Sequence, residues 1–148
     1  MTALTSPTRY PASRFETQTW VDLRDPGEQA RLTPAAVRGM DRLSDAWGLT
    51  VPQICTLLGD VSASTWHAWM RTPPKTLGVD RLTRTSYLLG IYAALHVLYP
   101  GPLADQWVHL PNTNPLFNGA APLEVMLRGG IPALERVRAL LDARRGGA

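Results

Sequence analysis

The stretch Trp107–Gly130 reads WVHLPNTNPLFNGAAPLEVMLRGG. Two turn dipeptides, Pro111-Asn112 and Asn114-Pro115, precede a helix that starts at Pro122 and stops at Gly129-Gly130. Proline suits a first helical position because the N–H it lacks would have no partner there. Glu124 in the first turn complements the positive end of the helix dipole, whereas Ala121 offers no capping oxygen. Asparagine side chains bond nearby backbone and so fix such turns. Large apolar residues hang on this frame: Trp107, Leu110, Leu116, Phe117, Leu123, Met126 and Leu127. The segment contains no glycine-rich phosphate cradle, no metal-ligand spacing and no nucleophile beside a base. It reads as a shaped surface, and no catalytic residue is assigned.

Working outward, Ile131-Pro132 opens a last helix with an apolar stripe of Leu134, Val137 and Leu141. Glu135, Arg136, Arg138, Asp142, Arg144 and Arg145 make its other faces polar. Glu135–Arg138 and Arg138–Asp142 have pairing distance along a helix, each contributing roughly 0.2–0.5 kcal/mol. Upstream, Pro100-Gly101-Pro102 ends a long helix over about 81–99, with Asp80 as its cap. From Tyr87 onward that helix is apolar on nearly every side, which predicts a buried central spine. Leu103–Val108 reads as a short helix in which Asp105 and His109 make a helical contact. His67, His96 and His109 are scattered, so neither a metal nor a cofactor is expected.

In the N-terminal half, Thr33-Pro34 reads as N-cap and first helical residue, followed by Val37, Met40, Leu43 and Trp47 and stopped by Gly48. Thr50-x-x-Gln53 has capping-box spacing, Pro52 fits the first turn, and Ile54, Leu57 and Leu58 face inward before Gly59. Ser62 caps a third helix, 63–71. Two short helices around a glycine-bearing turn form a helix-turn-helix pattern, whose second helix enters the major groove of DNA. The candidate DNA contacts are Ser62, Ser64, Thr65, His67, Arg71 and Lys75, with Arg81 and Arg84 beyond. Trp66 and Trp69 anchor the helix. A three-helix packing unit that binds no DNA is the competing reading.

Residues 1–31 show neither helical nor strand period and form an N-terminal extension, read as a loosely packing tail, as terminal segments usually are, with docking of Tyr10, Phe15 and Trp20 on a second copy or a partner as the alternative. Of the 148 residues, 45% are apolar, and 15 Lys plus Arg against 12 Asp plus Glu give a net charge of +3. That balance permits nucleic-acid contact without demanding it. The single cysteine, Cys55, excludes an internal disulfide and fits a reducing cytoplasm. No signal core precedes the first helix, and Tyr87–Tyr99 is too short to span a bilayer.

The fold class is all-α, with about seven helices. The order of its motifs resembles the Xre/MbcA/ParS-type antitoxins. The residues that carry the resemblance are Arg81-Leu82, Trp107, Pro111-Asn112, Asn118-Gly119, Pro122-Leu123-Glu124, Leu127 and Gly130, with Thr65 and Trp69 in the helix-turn-helix half. The resemblance runs from about Leu32 to Arg145. It implies three parts: an extension at 1–31, an Xre-like helix-turn-helix domain at 32–78, and a helical toxin-binding domain at 79–148 that shares the core helix. It also implies a cytoplasmic bacterial antitoxin of a type II toxin–antitoxin system, not an enzyme. Its partner would be a RES-domain toxin, which acts on NAD and whose NAD pocket the C-terminal domain covers. A homodimer within the complex and repression of the protein's own operon belong to the same expectation. The residues assigned to the toxin surface are Asn112, Asn114, Phe117, Leu127, Arg128, Arg138, Arg144 and Arg145. The alternative is a helix-turn-helix regulator without a toxin partner.

Overall fold

A computed structural model describes residues 21–146. Six α-helices and one 3-10 turn make up these residues, with no strand among them. The first helix, α1, spans Pro26–Trp47 and so begins inside the segment read as an extension. Asp25 caps it by accepting from the Glu28 N–H at 3.1 Å, and Pro26 takes the first helical position. Thr33-Pro34, expected to open the helix, lies within it. Thr33 is fully buried and is no cap. Its hydroxyl donates to the Gln29 carbonyl at 2.7 Å and accepts from the Leu77 N–H at 3.1 Å. A cap–proline pair thus occurs twice in the sequence, and the upstream one starts the helix.

The second helix, α2, spans Val51–Leu57, and the full reciprocal capping box of Thr50 and Gln53 precedes it. The third, α3, covers Ala63–Arg71 behind the Ser62 cap. Both helices match the sequence reading. The fourth, α4, spans Gly78–Leu98. Asp80 lies in its first turn instead of capping it. The start of α4 is held by two threonine hydroxyls: Thr33 of α1 accepts from Leu77 N–H, and Thr76 accepts from Gly78 N–H at 3.0 Å. Thr76 in turn donates to Gln29 Oε1 at 3.1 Å. A tertiary contact replaces the local cap.

The spine reading of α4 holds for its main contacts, which are with α1 on one side and the last helix on the other. Leu88, Ile91, Ala94 and Leu95 are completely buried. It fails at Val97, which is 66% exposed despite the apolar run around it. The fifth helix, α5, is the single turn Leu103–Gln106, continued by a 3-10 turn at Trp107–His109. The sixth, α6, spans Pro122–Arg145 but breaks at Gly130, whose φ of 61° and ψ of −152° are open essentially to glycine alone. The two C-terminal helices expected from sequence are therefore two arms of α6 meeting at that break. One core runs from Met40, Leu43 and Trp47 of α1 through α4 to Leu134, Val137 and Leu141 of α6.

Candidate partner-binding surfaces

The helix-turn-helix surface is built on α3. Trp66 and Trp69 are buried and fix the helix to the core, as their spacing predicts. Its N-terminal hydroxyls are largely engaged with each other. Ser62 Oγ accepts from the Thr65 N–H at 3.1 Å, donates to Thr65 Oγ1 at 2.8 Å and lies 3.2 Å from Ser64 Oγ. Ser62 and Thr65 thus serve the cap first. Ser64, His67, Arg71 and Lys75 are exposed beside them. Arg81 lies over the Trp69 ring, 5.6 Å from its centroid, and Arg84 pairs with Asp80 at 2.9 Å. These two arginines are held on the protein's own surface.

The focal loop, 110–121, is closed by its own backbone. Asn112 N–H donates to the Ala120 carbonyl at 3.1 Å, and Gly119 N–H to the Asn112 carbonyl at 2.9 Å. The side-chain oxygens of Asn112 and Asn114 accept from the N–H groups of Asn114 and Leu116, both at 2.9 Å. These asparagines, assigned to a partner surface, turn their carbonyl oxygens inward to shape the loop. Phe117, also assigned there, is only 2% exposed. It stands edge-on to Trp107 with ring centroids 5.7 Å apart, so it fastens the loop to the core. Leu127 is half-buried against the core, and Arg128 is exposed with a loose 3.7 Å approach to Glu124.

Arg138 is also committed internally. It pairs with Asp142 at 2.9 Å rather than with Glu135, and its guanidinium lies over Gly90 of α4, where a Cβ would collide with it. The expected Asp105–His109 contact does not form. His96 takes Asp105, with Nε2 to Oδ1 at 2.8 Å, and His109 Nε2 reaches the Trp47 carbonyl at 2.6 Å. Both bonds tie separate elements together: α4 to α5, and the end of α1 to the 3-10 turn.

The remaining assigned arginines lie at the C-terminal end of α6, which reaches the end of α4. Arg144 Nη1 donates to the Tyr99 hydroxyl at 3.1 Å, and Arg145 is exposed. Val97, two residues before Tyr99, and Leu103, 38% exposed, put apolar area at the end of α4 and the start of α5. A concavity of about 260 Å³ lies at the α6 break, lined by Leu116, Val125, Gly129, Pro132, Ala133 and Arg136. Val97 and Leu103 were missed as surface residues from sequence, because an apolar residue inside a helical run reads as core. The only available signal was the Pro100-Gly101-Pro102 break, which leaves the last turn of α4 without a covering neighbour in sequence. Among the described residues no group of three or more His, Cys, Asp or Glu is placed to hold a metal. No helix among them is long and apolar enough to cross a membrane.

A helix-turn-helix joined through one shared helix to a helical half with a cationic end defines a binding protein. Residues 28–90 match the antitoxin Xre-like helix-turn-helix domain, and residues 93–147 match the antitoxin Xre/MbcA/ParS C-terminal toxin-binding domain. The chain is 36% identical over 123 residues to "Uncharacterized protein y4oB" of Sinorhizobium fredii, across 82% of this chain and 93% of the relative. The chain belongs to the Xre/MbcA/ParS antitoxin family, and its role is that of an antitoxin in a toxin–antitoxin system. The two matched domains are a helix-turn-helix domain and a toxin-binding domain, both described by what they bind or the fold they take rather than by a reaction.

Proposed function

We propose that this antitoxin neutralises a RES-domain toxin by laying its C-terminal half across the toxin's NAD pocket. The observation that carries the reading is the pair of exposed cations at the C-terminal end of α6, one of them bonded to Tyr99 at the end of α4, inside the segment that matches the toxin-binding domain. Arg144 and Arg145 are the contact residues, with Val97 and Leu103 supplying apolar area. Arginine forks suit carboxylates on a partner whose pocket holds an anionic ligand. Arg128 and Leu127 form a secondary contact, while Asn112, Asn114, Phe117 and Arg138 act by holding the frame. The division into extension, helix-turn-helix domain and toxin-binding domain is part of the same proposal, with α4 shared.

The test is co-expression with the product of the adjacent gene, following growth and cellular NAD and weighing the purified complex by native mass spectrometry. Restored NAD with a stable complex supports the reading and gives the stoichiometry, including whether two antitoxin copies are present. No rescue and no complex sinks it.

Repression of the protein's own operon is the second reading, favoured by Ser64, His67, Arg71 and Lys75 standing exposed on and just past α3. With few cations on that surface, promoter binding should show a shallow salt dependence, each lost phosphate contact lowering the slope by about 0.9. A promoter titration over a salt series measures it, and absence of any shift at low salt removes this reading.

A further inference from the structure

Tyr99 closes α4 at a point where the chain has little freedom. Pro100 follows it, and a residue before proline is steered away from helical into extended backbone. Its φ of −126° and ψ of 137° lie there. Its N–H still donates to the Leu95 carbonyl at 2.9 Å, the last bond of the helix. Its ring packs half-buried against the core. Backbone and ring are both fixed, so the phenol oxygen at the far end of the ring has a set position.

That oxygen accepts from Arg144 Nη1 at 3.1 Å, across 45 residues of chain. Arg144 is exposed and lies in the last turn of α6. An arginine at a helix end samples many rotamers, and ordering it on a partner costs side-chain entropy. Held by a fixed phenol, the guanidinium loses less of that entropy on binding. The bond also sets what the pair recognises. The phenol accepts from the guanidinium and keeps its own O–H to donate, and the guanidinium carries further N–H groups. A group that accepts from two adjacent donors and carries the opposite charge is a carboxylate.

We propose that Tyr99 is a positioning residue, which holds Arg144 for a carboxylate on the toxin so that the two side chains act as one contact. The inference rests on the reading of the α6 end as a toxin contact. Arg145 stands outside the pair. Successive helical side chains point about 100° apart, so Arg145 leaves the helix in another direction.

The experiment is a double-mutant cycle on the full-length protein. The affinity of each variant for the purified product of the adjacent gene is measured by titration calorimetry, with a thermal melt beside it. Arg144→Gln should weaken binding by about tenfold or more. Tyr99→Phe keeps the ring and its packing, so its melt should match that of the unaltered chain while binding weakens severalfold. The double variant should bind no worse than Arg144→Gln. In a parallel cycle, the losses from Tyr99→Phe and Arg145→Gln should multiply. Multiplying losses in the Tyr99–Arg144 cycle, or full affinity in Tyr99→Phe, overturns the proposal and leaves Arg144 as a contact. Equal coupling of Tyr99 to Arg145 marks a general disturbance of the helix end and overturns it as well. Full affinity in Arg144→Gln, or no complex with the unaltered chain, removes both this proposal and the reading it rests on.

Discussion

Phe117 and Trp107 meet edge to face beneath the loop they anchor. Removing a buried aromatic ring leaves a cavity, so Phe117→Ala should cost about 3–5 kcal/mol of stability in a urea melt. A partner contact at an exposed site would lower affinity with little change in the melt. Gly130 is a second decisive residue. Any Cβ at its φ and ψ is strained, and Gly130→Ala should cost about 1–3 kcal/mol by the same measurement. Cys55 is buried, and burial pushes its thiol pKa above the ordinary value. The native thiol therefore stays protonated at a pH where the unfolded one ionises. Its contribution to stability is complete below the ordinary thiol pKa and is lost as pH rises through the raised one. A thiol reagent near neutral pH should modify native protein far more slowly than urea-unfolded protein. At this scale the sequence was legible for Cys55 and for Trp47, Trp66, Trp69 and Trp107, whereas Trp20 lies outside the described residues. It was not legible for Phe117, because an aromatic in a turn-rich loop has the same local pattern whether it points in or out.

The elements show which local signals suffice. α2 and α3 start where their caps lie, since a short helix depends on its first turn for much of its stability. Thr50→Ala removes one half of a capping box and should destabilise by about 0.5–2 kcal/mol in a thermal melt. Long helices are less tied to one signal. α1 runs through Thr33-Pro34 because Asp25-Pro26 starts it earlier and Thr33 has a buried role against Leu77. Interior Pro34 forfeits a backbone bond, and packing of α1 against α4 offsets that loss. Gly90 belongs to this scale because it sets how closely α6 approaches α4. Gly90→Ala should unseat the Arg138 side chain while gaining up to about 1 kcal/mol in helix propensity. The melting temperature should then hold or rise if only the Arg138 side chain yields, and fall if α6 as a whole is pushed from α4.

At the scale of the whole molecule, α4 joins the two halves, so their packing is one problem with one core. The exposed ends of α4 and α6 are where change is tolerated by the fold. Arg144→Gln with Arg145→Gln should lower stability in the melt by no more than about 1 kcal/mol, the loss coming from the Tyr99 bond and the helix-end charge. The same double variant should fail to rescue growth in the co-expression assay. Normal rescue would move the contact to Arg128 and the α6 break.

By itself, the sequence determined the all-α class, the capping of α2 and α3, the core stripes of α1 and α6, and the loop frame of Asn112 and Asn114. Each of these depends on residues within a turn or two of one another, so spacing carries the information. It also carried the family, through the order of its motifs. Only the tertiary structure decided that Thr33 fastens α4, that His96 rather than His109 takes Asp105, that Phe117 points inward and Val97 outward, and that Arg138 rests over Gly90. Those outcomes depend on which distant surface arrives against each side chain, and nothing in the local spacing records that.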